Sequence, residues 1–296
     1  MSAMIETENL SRRFRGHEAV DRLSLSVPAG SVYAFLGRNG AGKTTTIKML
    51  AGLLSPSAGA ARVLGCDARR LTVSEWRQIG YVSENQRLYE WMTGAELLAF
   101  TAKFYPSWDD DFAARLAGQL ALPLNRKLKH CSRGEKMKTA LLLAIAFRPR
   151  LLILDEPFSG LDALVREEFL ASLLELTRQN EWTIFFSSHD IDEVERLADH
   201  VGMIDAGRLT LSESLESLQR RCRRVEIFGT SAADLAGEKL LCRESTERGL
   251  RLVHADFSER TEAELRRRFA DATVEITPLS LKEIFIAHAK TLQGGR

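Results

Sequence analysis

The stretch Ser31-Val32-Tyr33-Ala34-Phe35-Leu36, running into Gly37-Arg38-Asn39-Gly40-Ala41-Gly42-Lys43-Thr44, decides how this chain is read. Its first six residues are mostly apolar and β-prone, and the next eight fit the pattern G-x-x-x-x-G-K-[ST]. Beyond them Ile47, Leu50, Ala51 and Leu54 recur at helical spacing, so the motif lies in a strand, loop, helix context. A phosphate cradle requires that context. Glycines let the backbone turn so that successive N–H groups face a phosphate, and the helix N-terminus adds positive potential. Lys43 has the reach for the β- and γ-oxygens of a nucleotide, and the Thr44 hydroxyl suits Mg²⁺. Gly37, Arg38, Asn39, Gly40, Ala41, Gly42, Lys43, Thr44 and the adjoining Thr45 are therefore candidate nucleotide-binding residues. Alone, the motif leaves kinases, GTPases, helicases and transporters open.

Downstream, Leu151-Leu152-Ile153-Leu154-Asp155-Glu156 places two carboxylates just past a continuous apolar strand of the kind buried on both faces of a parallel sheet. Asp155 suits the Mg²⁺ water shell opposite Thr44, and Glu156 suits polarising an attacking water as general base. Taken alone, the pair also reads as two solvated acids before a proline turn. The strand Thr183 to Ser187 delivers Ser188-His189-Asp190, so His189 stands on the strand edge where α/β sheets bind ligands and is a candidate to contact the γ-phosphate.

Around these motifs, strands alternate with long helices at Thr44 to Leu54, Glu135 to Phe147 and Leu164 to Arg178, which predicts a covered, mainly parallel α/β sheet. Residues 5–14 and 20–27 predict two or three short strands, and Thr93 to about Leu120 predicts helix interrupted at Pro106, with a new start at Asp109-Asp110-Asp111. Gly202 to Leu211 reads as a hairpin. Beyond it, strands near 225–228, 250–254 and 273–276 and helices at 262–269 and 281–289 predict a small α/β tail, with domains at 1–217 and 218–296.

The 296 residues are 45% hydrophobic, and 41 Lys and Arg balance 40 Asp and Glu, so bulk charge names no nucleic acid or anionic membrane as partner. Cys66, Cys131, Cys222 and Cys242 are scattered, with no C-x-x-C pair, which fits free thiols in a reducing cytoplasm. No signal-peptide pattern opens the chain, and its apolar runs fall well short of the ~20 residues that cross a bilayer.

Together the motifs resemble those of the ATP-binding cassette subunit of an ABC transporter, over residues 4 to about 215. Gly37 to Thr44 matches Walker A, Leu151 to Glu156 matches Walker B with its glutamate, Ser159-Gly160-Leu161-Asp162 the D-loop and His189 the switch histidine. Cys131-Ser132-Arg133-Gly134-Glu135 stands where the family signature reads Leu-Ser-Gly-Gly-Gln, retaining Ser132 and Gly134. Glu84, in Gly80-Tyr81-Val82-Ser83-Glu84, stands where the family has a metal-contacting glutamine. A carboxylate there also suits the ion while adding negative charge near the γ-phosphate. Phe14 is either the aromatic that stacks on adenine or a strand-core residue.

The resemblance implies a P-loop ABC-type fold with antiparallel β and helical subdomains, ATP and Mg²⁺ as cofactors, and ATP hydrolysis. It also implies a head-to-tail dimer, homo- or heterodimeric, in which Ser132, Arg133, Gly134 and Glu135 close over the nucleotide of the other subunit. A separate transmembrane permease would be the partner, with the chain peripheral on the cytoplasmic face of the membrane. The S-R-G variant and the ending Thr277 to Phe285 resemble exporter-type members. Two other readings stay open: a soluble ATPase that remodels a ribosomal or nucleic-acid complex, for which Arg220-Arg221-Cys222-Arg223-Arg224 is the local argument, and the regulatory half of a heterodimeric transporter.

Overall fold

The computed structural model describes residues 3–179, 182–229 and 239–294. Packing divides the chain into two compact units, Met1–Ser212 and Glu213–Arg296. The sequence reading sets its division inside a helix, at 217/218. The helix falls on the second side because the backbone and side chain of Arg221, near its end, bond to Phe257 and Ala255.

Six strands form the central sheet of the first unit: β3 (Val32–Leu36), β6 (Ile79–Val82), β7 (Leu151–Leu154), β8 (Thr183–Ser188), β9 (His200–Asp205) and β10 (Arg208–Ser214), in the order β10-β9-β3-β8-β7-β6. The pairs from β9 through β3, β8 and β7 to β6 are parallel. Every residue of β3, β7 and β8 is buried, as expected of strands covered on both faces. The predicted hairpin is β9–β10, turned at Ala206-Gly207 with positive φ at both residues.

A second sheet, in the order β2-β1-β4-β5, contains β1 (Ala3–Phe14), β2 (His17–Pro28), β4 (Ala58–Val63) and β5 (Cys66–Asp67). Instead of two or three short strands, the opening segment forms two twelve-residue strands that absorb their polar interruptions as register shifts, turning at Arg15-Gly16 with positive φ. Ile5, Leu10, Val20, Leu23 and Val27 from this sheet share one core with Phe35, Ile47, Leu151 and Phe185.

The helices of this unit are α1 (Lys43–Leu50), α2 (Val73–Trp76), α3 (Gly94–Ala102), α4 (Asp110–Gln119), α5 (Arg133–Ile145), α6 (Ala163–Gln179) and α7 (Ile191–Leu197). Asp109 caps α4, where the acidic run predicts a start. Thr93 with Glu96, and Ser132 with Glu135, form capping boxes at α3 and α5. Seven-residue α7 is too short to predict from periodicity.

The second unit holds α8 (Leu215–Arg221), β11 (Arg223–Phe228), β12 (Leu240–Thr246), β13 (Gly249–His254), α9 (Glu259–Arg268), β14 (Thr273–Pro278) and α10 (Leu281–Gly294). Its sheet has the order β12-β13-β11-β14, and Val225, Ile227, Leu250, Leu252, Val274 and Leu265 form its core. The sequence reading misses β12: after two leucines its residues are polar, and no buried alternation marks it.

Candidate active site

Sheet register builds the site. Leu36, the last residue of β3, lies opposite Ser188, and Leu154, the last of β7, opposite Phe186. The next residues of each chain segment, Gly37, Asp155-Glu156 and His189, therefore emerge together at one sheet edge. Two hydrogen bonds lock the alignment: Gly37 N donates to Ser188 O (3.2 Å) and Glu156 N to Ser187 Oγ (2.9 Å).

Gly37 and Gly42 are held to glycine by their surroundings. A Cβ on Gly37 would lie 2.6 Å from Ile204 O, and Gly42 has φ +109° with Ala19 O 2.4 Å from where its Cβ would be. Gly42 starts α1 without a side-chain cap, whereas α2, α3, α4, α5, α7, α8 and α9 all begin on one. The first N–H groups of α1 therefore have no side chain to satisfy them, the arrangement that suits an anion.

Lys43 is buried, and its ammonium donates to Gly37 O (2.6 Å) and Arg38 O (3.2 Å). It also lies 2.9 Å from Glu156 Oε1, a charge contact without hydrogen-bond alignment. The other carboxylate oxygen of Glu156 is 2.8 Å from His189 Nδ1. Glu156 is thus suspended between a cation and an imidazole, on a backbone with φ +48°, a left-handed conformation that is costly for a residue with a Cβ.

Behind it, Asp155 Oδ1 accepts from Thr44 Oγ1 (3.1 Å) and Ser187 Oγ (2.9 Å). Burial pushes the Asp155 carboxyl above its usual range against the pull of those two hydrogen bonds, and the charges of Glu84 and Glu156 add to the rise. Three carboxylates, Glu84, Asp155 and Glu156, face one ammonium, Lys43, and this excess of negative charge fits a divalent cation. Among the described residues no cluster of three or more His, Cys, Asp or Glu is arranged as a metal cage. This donor set suits Mg²⁺, which is usually held by one or two protein oxygens with waters and phosphates.

A cavity of about 450 Å³ opens over these groups, lined by Phe14, His17, Arg38, Asn39, Gly40, Lys43, Thr44, Thr45, Glu84, Glu156, Ser159 and His189, among others. The structure therefore brings Arg38, Asn39, Gly40, Gly42, Lys43, Thr44, Thr45, Glu84, Glu156, His189 and Phe14 to one cleft. Gly37 and Asp155 do not line it but bond to Lys43 and Thr44, which do, and Ala41 is buried in the hydrophobic core. Phe14 is exposed rather than strand core, and the Arg12 guanidinium lies 4.6 Å from its ring centroid. Ser132, Arg133, Gly134 and Glu135 do not line this cleft; they form the first turn of α5 and its cap. Ser187 and His17 were missed by sequence reasoning. The serine lies next to the end of β8, after Ile184, Phe185 and Phe186, and only register reveals its two bonds; the histidine pairs with Phe14 across the Arg15-Gly16 turn.

A model of the family described as "ABC transporter" matches residues 20–159. The bacitracin transport ATP-binding protein BcrA of Enterococcus faecalis is 33% identical over 242 residues, which span 81% of this chain and 79% of that one. This chain belongs to the ABC transporter family. The sulfate/thiosulfate import ATP-binding protein CysA of Salmonella typhi is 33% identical over 73% of this chain and 62% of its own. The solved structure of the ATP-binding subunit of an ABC transporter superposes with TM-score 0.64 at 31% identity, covering 73% of this chain and 92% of that one.

The fold is the P-loop nucleotide-binding domain of ABC ATPases, a mainly parallel sheet with antiparallel β and helical subdomains. The chain is accordingly an ATP-hydrolysing ABC subunit that partners a membrane permease, and the family implies ATP and Mg²⁺ binding. No helix among the described residues is long and apolar enough to cross a membrane.

Proposed function

We propose that this ABC subunit energises a separate exporter-type permease from the cytoplasmic face of the membrane, pairing head-to-tail with a copy of itself or a related chain. The observation that carries the catalytic part is the Glu156 carboxylate, held between Lys43 and His189 at the mouth of the cleft. Glu156 takes the proton of the attacking water, and His189 holds Glu156 in place and faces the γ-phosphate. Lys43 exchanges its two loop carbonyls for the phosphates, and the N–H groups of Gly40 to Thr45 donate to the phosphate oxygens. Thr44, Asp155 and Glu84 would hold Mg²⁺, which would supply charge neutralisation to the phosphates. Phe14 stacks on the adenine. Ser132 to Glu135 serve the partner's nucleotide, which accords with their place outside this chain's own cleft.

Export is favoured by the signature variant and by the ending Thr277 to Phe285; one similar relative is named for import, so family membership alone does not fix direction. Residues 213–296 form, in this reading, an accessory domain, with its boundary taken at 212/213 rather than 217/218. An exposed run of touching aromatic rings, Tyr89, Trp91, Phe100 and Phe104, follows Glu84 in the chain and supports a docked protein partner.

The remodelling alternative loses its local argument. Arg220 pairs with Glu216, Arg221 with Glu213 and Arg224 with Glu283, and Arg223 donates to the carbonyls of Gln219 and Cys222, so the arginine cluster is engaged internally. Tagged Glu156→Gln chain, recovered from gently solubilised membranes of its host with ATP and Mg²⁺, is expected to bring down a stoichiometric polytopic membrane protein. Recovery of a soluble dimer bound to ribosomes or DNA would replace this reading with the remodelling one.

A further inference from the structure

His189 is half-exposed, and its hydrogen bond to Glu156 is the one contact its ring makes to the cleft's carboxylates. A side chain so lightly held takes its position from its neighbours, and both neighbours are restrained. On one side, Ser188 Oγ donates to Glu193 Oε2 (2.6 Å) and accepts from Asp190 N (2.9 Å). On the other, Asp190 Oδ1 caps α7 through Asp192 N (3.0 Å), leaving Oδ2 directed away from its own helix.

Both restraints end on one arginine from a distant part of the chain. Arg166 Nη1 donates to Asp190 Oδ2 at 3.1 Å, and Arg166 Nε lies 3.6 Å from Glu193 Oε1. Nε is buried and lacks an aligned hydrogen bond, so a small shift in the guanidinium changes how it is satisfied. Arg166 lies in the first turn of α6, where its N–H bonds to Asp162 O (2.9 Å), and α6 begins directly after Ser159-Gly160-Leu161-Asp162. Ser159 itself lines the nucleotide cleft.

We propose that Arg166 is a positioning residue that clamps the residues on both sides of His189 and so sets the His189–Glu156 hydrogen bond according to the placement of segment 159–162. A guanidinium is suited to this because its planar fork addresses two carboxylates in fixed directions, which an ammonium does not. Glu193 is the other half of the clamp: it is almost fully buried and is the acceptor through which Arg166 reaches Ser188. Displacement of the start of α6 then moves Asp190 and Ser188 together and withdraws or presents the imidazole. The inference rests on the proposed role of His189 for its catalytic meaning, but its geometric content stands separately.

The test reads the imidazole directly. In nucleotide-free protein labelled with ¹⁵N-histidine, the His189 resonances are assigned by their loss in His189→Gln. Arg166→Met is expected to move the ring-nitrogen shifts toward those of a free, exposed imidazole, and Arg166→Lys to recover part of the change. With Mg²⁺ and ATP, the Arg166→Met kcat is expected to fall about ten- to a hundredfold, as for a catalytic group displaced by about 1 Å, with KM changed less than about twofold. If Arg166→Met does not fold, Asp190→Asn keeps the helix cap, removes the charged acceptor of Nη1, and is expected to shift the same resonances less. Unchanged His189 shifts in whichever of these variants folds would overturn the proposal. His189→Gln hydrolysing ATP at the full rate would remove the catalytic role of His189 while leaving the shift experiment to decide the clamp.

Discussion

The two units of this chain bury different things. In the first, Lys43, Thr46, Asp155, Glu156, Ser187, Ser188 and Glu193 are all buried, and most lie around one sheet edge. In the second, His254 is the buried polar side chain among the described residues; the rest of the core is apolar, mostly aliphatic, and charges pair toward the surface, as in Arg251–Glu226 and Lys290–Glu244. Burying charge costs free energy unless it is matched, so a fold concentrates it where chemistry requires it. The first unit carries a left-handed glutamate, an elevated Asp155 and an uncapped helix in one place, and the second has a conventionally packed core. Substitutions in the first should therefore change turnover more than stability, and in the second stability more than turnover.

Glu156→Gln gives the largest expected effect. It keeps the side-chain size and the bond from Glu156 N to Ser187 Oγ but removes the base, and kcat should fall about 10²- to 10⁴-fold. Thermal unfolding should shift little or downward, because the buried Lys43 ammonium loses a counter-charge but keeps its bonds to Gly37 O and Arg38 O. A variant that hydrolyses ATP at the wild-type rate would end the assignment of Glu156 as base.

Ile227→Ala probes the opposite pole. Ile227 is fully buried against Val225, Leu250, Leu252, Leu265 and Val274, and truncation should cost about 2–5 kcal/mol of stability in denaturant unfolding. The kcat of the protein that remains folded should equal the wild-type value. A fall in that kcat would mean the two units are energetically coupled, and the contrast between them would fail.

How much of this was legible beforehand follows the same line. Gly37 to Thr44 and Leu151 to Glu156 are local patterns whose letters, order and flanking strand or helix carry their meaning, so both could be read without a fold. The covered parallel sheet was legible because β3, β7 and β8 are short apolar runs between amphipathic helices. Arg166 and Glu193 were not legible, because they lie on two surface-like helical stretches and only packing brings them together against Asp190 and Ser188, the residues that flank His189. Ser187 was hidden for a related reason: it is one of three hydroxyl residues in β8, and only the register of β7 against β8 sets it beside Asp155 and Glu156. β12 was misread because its residues after Leu240-Leu241 carry no apolar alternation, yet they pair along β13.

Glu193 offers the finest test of the contrast, because its cost depends on pH. Burial raises its carboxyl from 4.5 to about 7; Asp190 and Glu156 add to the rise, while the Ser188 hydrogen bond and Arg166 oppose it. Between those two values the unfolded chain has released a proton that the folded chain still holds, so stability falls as pH rises through this interval and is level above it. At 1.36 kcal/mol per pH unit, the interval amounts to an upper limit of about 3 kcal/mol. Glu193→Gln keeps an acceptor for Ser188 Oγ and has no proton to lose. Its stability relative to wild type should therefore rise by about 2–3 kcal/mol between pH 5 and pH 8, measured by denaturant unfolding at each pH. Comparing the two proteins at the same pH cancels the contribution of Asp155, whose carboxyl is also elevated. A difference that stays constant from pH 5 to pH 8 would show that Glu193 is ionised throughout. The buried charge at the back of the His189 loop would then be matched in full by Arg166, and the first unit would carry less stored cost than its burial pattern implies.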